Sequence, residues 1–324
     1  MELINVKESP IAERVVDSEV STDQFILSNT KPVSFEELRF GCIIPVFAKD
    51  NESTISHTEF IMAVYEAAQR CFKNERLLLP AMRVSHPIKG RVPEAMGKSA
   101  HLLTDDEKTI YYERMAFVIE IPTIKDSISG NDLSFTVGGV RAYNLENLYR
   151  GKSEEKFKIF IGFKNSVCIN LCILTDGFKA ELKVRTVSEL TDYAFELFSG
   201  FNTIGQLEQL DRLDHYSITE KQFAQLIGRA RLYLYSPQKE KKGIPNLPVS
   251  DSQVSMVAKD YYSSESFCKN DNEDIDLWKL YNLFTGANKS SYIDTFLDRG
   301  AGSHSFVKGI LEALENSSQH WFLS

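Results

Sequence analysis

The chain has 324 residues, 43% of them hydrophobic and 25% charged, with a net charge of −8. Such a length buries a sizeable core without disulfide or metal staples, and no stretch approaches the roughly 18 uninterrupted apolar residues of a membrane span. The acidic balance repels nucleic acid and anionic membranes, so any such contact must be local.

The first residues lack a basic segment followed by an apolar one, so no secretory signal is expected and the expected location is cytoplasmic. Glu2, Glu8, Glu13, Asp17, Glu19 and Asp23 outweigh Lys7 and Arg14, and residues 1–24 read as an acidic flexible arm. A β-rich run covers Arg39 to Phe47. Ser56 and Glu59 then form a capping box ahead of Phe60, Ile61, Val64, Ala67, Ala68 and Cys71 at helical spacing. Leu77 to Val84 reads as a strand that Pro80 confines to an edge or breaks. Pro87, Gly90, Pro93 and Gly97 make His86 to His101 a long loop, and Thr104 with Glu107 caps a short helix through Glu113.

The clearest β region lies between Met115 and Val184. Met115, Phe117, Ile119 and Ile121 alternate along one strand, and Leu133, Phe135 and Val137 along a second. Phe157 to Phe163 and Val167 to Ile173 supply two more, joined by a tight turn at Lys164 to Ser166. Asp176-Gly177 suits a type I′ hairpin leading into a fifth strand, Phe178 to Val184. Turns this short make neighbours antiparallel, since a parallel pair needs a crossover of about a dozen residues or more. The expected class is therefore α+β, a central antiparallel sheet with helices packed on it, followed by a helical C-terminal subdomain.

From Ser188 the period turns helical: Leu190 to Phe198, Ile204 to Leu213, and Phe223 to Ala230, the last capped by Thr219 and Gln222 and ending near Tyr235. Residues 25–235 thus form the α+β domain, and the lysines and prolines of 236–249 read as a linker. Four helices are expected across 250–324, opening at Ser250 with Gln253, at Ile275, at Ser291 and at Phe306.

Five cysteines (Cys42, Cys71, Cys168, Cys172, Cys268) suit reduced core positions better than a disulfide framework. Cys168 and Cys172 on one strand would stand about 13 Å apart, too far to share a disulfide. Gly90 to Ser99 resembles a phosphate-binding loop, but six residues separate Gly90 from Gly97 where the motif needs four. Asp176 with Glu181 and Lys183 faintly resembles a metal-dependent nuclease site, and a solvated strand face explains the same residues. No catalytic or metal-binding residue and no cofactor is assigned. The feature that stands out is charge placement. Arg83, His86, Lys89, Arg91 and Lys98 gather with only Glu94 against them, and Arg229, Arg231, Lys239, Lys241 and Lys242 form a second cluster interleaved with Tyr233 and Tyr235. Solvated loop charge is the plain reading of both, and phosphate contact the functional one.

Several blocks together resemble the bacterial family known as domain of unknown function 3871. They are Arg83-Val-Ser-His-Pro-Ile-Lys-Gly-Arg91, Tyr111 to Pro122, Gly162 to Cys172, Thr219 to Gly228, and Leu277-Trp-Lys-Leu-Tyr-Asn-Leu-Phe-Thr-Gly286 through Asp294. Around Val167-Cys168-Ile169-Asn170 the chain is also similar to a broader group of phage and plasmid proteins, although Ile169 stands where a smaller, more polar residue is expected. The resemblance implies a protein of plasmids, phages or conjugative elements and transfers no activity or catalytic residue. The leading expectation is a non-enzymatic accessory protein of a mobile element that binds single-stranded DNA through Arg83, His86, Lys89, Arg91, Lys98, Arg229 and Arg231. The alternatives are a protein-interaction module using the acidic surface, and a metal-dependent nuclease or hydrolase.

Overall fold

Long runs of β-branched and aromatic residues in strict alternation bury one side of a strand and demand neighbours for the other groups. In the computed structural model, which describes residues 24–43, 54–143, 154–166, 168–263 and 274–324, they build one six-stranded antiparallel sheet. The acidic segment expected over 1–24 lies, except for its last residue, outside those described. Chain order begins with β1 (Lys31–Pro32), a π-helical turn (Glu37–Gly41), α1 (His57–Cys71), β2 (Ala81–Val84), β3 (Pro87–Arg91) and β4 (Lys108–Tyr112). The long strands β5 (Arg114–Ile128), β6 (Asn131–Ala142), β7 (Glu155–Asn165) and β8 (Leu171–Val184) follow. Strand order in the sheet is β1-β2-β5-β6-β7-β8, and β3 pairs with β4 as a separate hairpin. The chain continues through α2 (Val187–Ser199), α3 (Thr203–Asp214), β9 (Ser217–Thr219), α4 (Glu220–Tyr235), α5 (Asp251–Ser263), β10 (Asp274–Asp276), α6 (Leu277–Asn288) and α7 (Ile293–Glu315). The class is α+β.

One face of the sheet is closed by α1 and α2. Both Ser56 capping bonds form, to the Glu59 N–H and from the Ser56 N–H to the Glu59 carboxylate, so α1 starts where the sequence places it. Phe60 of α1 lies edge-on to Phe117 and Phe157, with centroids 5.1 and 4.8 Å away. Gly139 makes room for it, because a Cβ there would stand 2.4 Å from the Phe60 ring. The opposite face carries a smaller cluster in which Phe25, Ile26, Ala116, Val118, Phe160 and Ile173 meet Ile293, Phe296 and Leu297 from the first half of α7. Phe306, Val307, Ile310 and Leu311, from its second half, join the main core. That core also includes Leu247 and Val249, and Tyr233 is hydrogen-bonded to Asn246, so residues 236–249 pack against the helices around them.

Several sequence expectations are corrected. Glu37–Gly41 is a π-helical turn and not the start of a strand over Arg39 to Phe47, because Glu37 is held by Tyr112 and Lys31; residues 44–47 lie outside those described. The strand expected from Leu77 forms only after Pro80, at Ala81. His86 to His101 is not all loop, since Pro87–Arg91 finds a partner in Lys108–Tyr112. The Thr104–Glu107 capping box is real but caps a single 3-10 turn, after which β-prone Thr109, Ile110, Tyr111 and Tyr112 go into the hairpin.

The connection after β7 runs through residues 166–170, with Ile169 at φ 57° and strand geometry beginning only at Leu171. Asp176-Gly177 makes no hairpin. β8 continues through it, and the pairing with β7 shifts register between Gly162↔Ile173 and Phe160↔Phe178. Gly177 sits inside this bulge, where a Cβ would lie 2.2 Å from the Ile161 carbonyl oxygen; the glycine serves a close backbone approach. The two helices expected from Ser291 and Phe306 are one, α7. Its internal glycines pack rather than break, Gly300 against Ile173 and Gly302 against Pro248.

Candidate functional site

Most of the cations singled out in the sequence are committed to the fold. Arg83 is 8% exposed on β2 and donates to the Thr30 hydroxyl and carbonyl at 2.8 and 2.9 Å, and burial pulls its pKa down. The Arg91 guanidinium donates to the carbonyls of Ala95 and Lys98. Lys98 pairs with Glu107 at 2.7 Å, and that bond with the Thr104 N–H holds the Glu107 carboxyl down to about 2. Arg229 lies over the Trp321 ring at 5.0 Å. Arg231 donates to Ser255 at 2.8 Å and faces Asp251 at 3.7 Å, tying α4 to α5, and Lys241 stands 4.8 Å over Tyr233. His86, Lys89, Lys239 and Lys242 differ, their side chains being exposed and without a partner among the described residues.

Lys89 opens onto a surface that the sequence does not single out. It sits directly opposite Ile110 in the β3–β4 hairpin. On the other side of Ile110 the Ile43 N–H donates to its carbonyl at 2.9 Å, which brings the chain beyond the π-helical turn alongside β4. Ile110 is 38%, Ile43 49% and Phe40 72% exposed. The Arg39 guanidinium lies 5.3 Å from the Phe40 ring centroid. Three exposed apolar side chains and two cations thus stand on adjoining segments, more than the single large apolar residues of an ordinary surface.

The π-helical turn that carries Phe40 is tied to β1 and β4. Buried Tyr112 donates from its hydroxyl to Glu37 at 2.5 Å, and Lys31 pairs with the same carboxylate at 3.0 Å while lying 4.9 Å over the Tyr112 ring. The Tyr112 hydrogen bond, then Lys31, hold Glu37 below its ordinary pKa; burial and Glu37 raise the Tyr112 phenol; Tyr112 and Glu37 raise Lys31. Buried His57 bonds through Nε2 to the Tyr112 carbonyl at 2.7 Å and anchors the hairpin on α1. A turn tied in this way can present a π-face and nearby positive charge to a planar, anionic ligand.

Elsewhere the thiols are partly or fully covered. Burial raises the thiols of Cys42, Cys71, Cys168 and Cys172, and no pair of these four forms a disulfide; Cys268 lies outside the described residues. Asp176, Glu181 and Lys183 lie along β8, with Asp176 accepting from Gln206 at 3.1 Å. Among the described residues no three His, Cys, Asp or Glu side chains are grouped to hold a metal ion, and no helix is long and apolar enough to cross a membrane.

The family model described as "Domain of unknown function, B. Theta Gene description (DUF3871)" matches residues 6–323, and the chain belongs to that family. No curated protein and no solved structure matches it.

Proposed function

We propose that this DUF3871 protein is a non-enzymatic binding protein that takes single-stranded nucleic acid on the Arg39, Phe40, Ile43, Lys89 and Ile110 surface. Its setting, on this reading, is the bacterial cytoplasm, as an accessory protein of a mobile element, which is what the family resemblance implies. The observation that carries the reading is the Phe40 ring, 72% exposed beside the Arg39 guanidinium, on a turn tied down by Glu37, Tyr112 and Lys31. An aromatic face stacks on any base at about 1–3 kcal/mol per base, so such a contact is tolerant of sequence. Lys89 and His86 supply phosphate contacts beside it, while Arg83, Arg91, Lys98, Arg229 and Arg231 act by bracing the fold. With few free cations at this surface and a net charge of −8, binding is modest and its salt dependence shallow, a slope of about −0.7 per phosphate neutralised.

Fluorescence anisotropy with a labelled single-stranded oligonucleotide at low salt tests this. Phe40→Ala is expected to weaken binding about 5- to 150-fold, matching the loss of one stacked base. Lys89→Ala should weaken it less and flatten the salt slope. Absence of binding at micromolar protein, or binding indifferent to Phe40→Ala, rejects the reading.

A second reading, a protein-interaction module, has one observation in its favour. Met96 and Leu102, in the connection between β3 and β4, are 76% and 57% exposed and add apolar area to the same hairpin. Co-purification of a stoichiometric protein free of nucleic acid, lost on Met96→Ser with Leu102→Ser, would favour it.

A further inference from the structure

A cleft of about 70 Å³ between α3 and α7 is lined by Gln209, Arg212, Leu213, His304, Lys308 and Glu312. A single water needs only about 10–15 Å³ by the same kind of measure, so the space admits a larger polar guest. His304 forms part of its wall and is 3% exposed. Neither of its ring nitrogens has a hydrogen-bond partner among the described residues, and Nδ1 is fully shielded. Its nearest described ring contact is with Tyr281 of α6, 6.0 Å between centroids.

Lys308 follows His304 by one helical turn, on the same flank of α7, and is exposed without a carboxylate in ion-pair range among the described residues. Arg212 reaches over from α3 to Glu315, an ion pair that uses Nη2 and leaves further N–H donors on its fork. Gln209 stands about one turn before it on α3. Three carboxylates stand around them: Glu312 at the cleft, Glu315 already paired with Arg212, and Asp176 of β8, which acts on His304 and accepts from Gln206 at 3.1 Å.

We propose that this cleft is a site for a tetrahedral oxyanion, a phosphate group, bound by His304, Lys308 and Arg212. Burial first, then Lys308, push the His304 pKa down to about 4, against a small upward pull from Asp176. A bound phosphate accepts from the Nε2–H, the ring nitrogen that is not shielded, and offsets Lys308, so it raises that pKa. The guest is either free phosphate or a phosphate carried by a nucleotide or strand end; both present the same oxygens.

The test follows the His304 C2 proton by NMR across pH, together with thermal unfolding, in millimolar inorganic phosphate and in chloride of equal ionic strength. Phosphate is expected to move the His304 titration upward and to raise Tm. Lys308→Gln should weaken both effects about tenfold in phosphate concentration, one charge-assisted contact. His304→Phe should abolish the phosphate-dependent rise in Tm whatever it does to basal stability. A mononucleotide, and an oligonucleotide with or without a 5′-phosphate, then show which source is preferred. Phe40→Ala leaves every one of these shifts in place, so this site and the hairpin surface fail independently. If no phosphate species moves either the His304 titration or Tm, or if Lys308→Gln leaves the shifts unchanged, the site is overturned.

Discussion

The closed face of the sheet and the β3–β4 hairpin draw on the same residue types but turn them opposite ways. On the closed face, polar groups point inward and the charged ones are paired. Arg141 is fully buried, pairs with Glu155, and lies 4.0 Å from the Phe157 ring centroid, while the same carboxylate accepts the Ile55 N–H at 3.0 Å. On the hairpin and the turn beside it, apolar Ile110, Phe40 and Ile43 are exposed, and the polar Glu37–Tyr112–Lys31 group ties the turn to the strand. An inward polar network specifies a unique packing and is costly to disturb. An exposed apolar patch adds little to folding and is available for binding.

That contrast can be broken at measurable points. The largest effect is expected for Arg141→Ala, which leaves Glu155 charged and stranded near the core and should lower unfolding free energy in urea by about 3–5 kcal/mol. A loss below about 1 kcal/mol would mean the network is decorative.

The second point is pH. Burial holds His57 down at about 3, with its hydrogen bond to Tyr112 opposing and Arg141 adding to the depression. Below the ordinary histidine pKa of about 6.5 the unfolded chain takes a proton that folded His57 refuses. Stability is therefore full above that pH and falls as pH drops toward about 3, by up to about 1.4 kcal/mol per unit, or roughly 2 kcal/mol between pH 6.5 and 5. His57→Gln should flatten this slope by one proton; an unchanged slope would refute the assignment. His304 adds a second such contribution in the range down to about 4.

Third, Ser56→Ala removes the α1 capping box and should cost about 1 kcal/mol, read as a lower urea midpoint at unchanged slope. The smallest effect on folding is expected at Phe40→Ala, within about 0.5 kcal/mol, because the ring is mostly in water. A large destabilisation there would make the hairpin patch part of the core and end the contrast between the two regions.

The capping boxes at Ser56, Thr104 and Thr219 were each legible, since they need only residues three apart. So were β5 to β7 and the positions of α1 to α4, where alternation or helical spacing runs long enough to leave one answer. Asp176-Gly177 misled for a physical reason. A glycine signals freedom in sequence, but Gly177 absorbs a close approach from a distant segment, Ile161, that no local window contains. The basic clusters misled likewise. A list of arginines and lysines does not reveal that Thr30, Glu107, Trp321 and Ser255 claim them.

By itself, then, the sequence determined the α+β class, the antiparallel order of the central strands and the helical second half, because hydrophobic period and capping act over a few residues. Only the tertiary structure decided which strands continue, which cations are free, and that Phe40 and His304 stand out. Exposure and partnership depend on chain segments tens of residues apart, and packing alone brings those together.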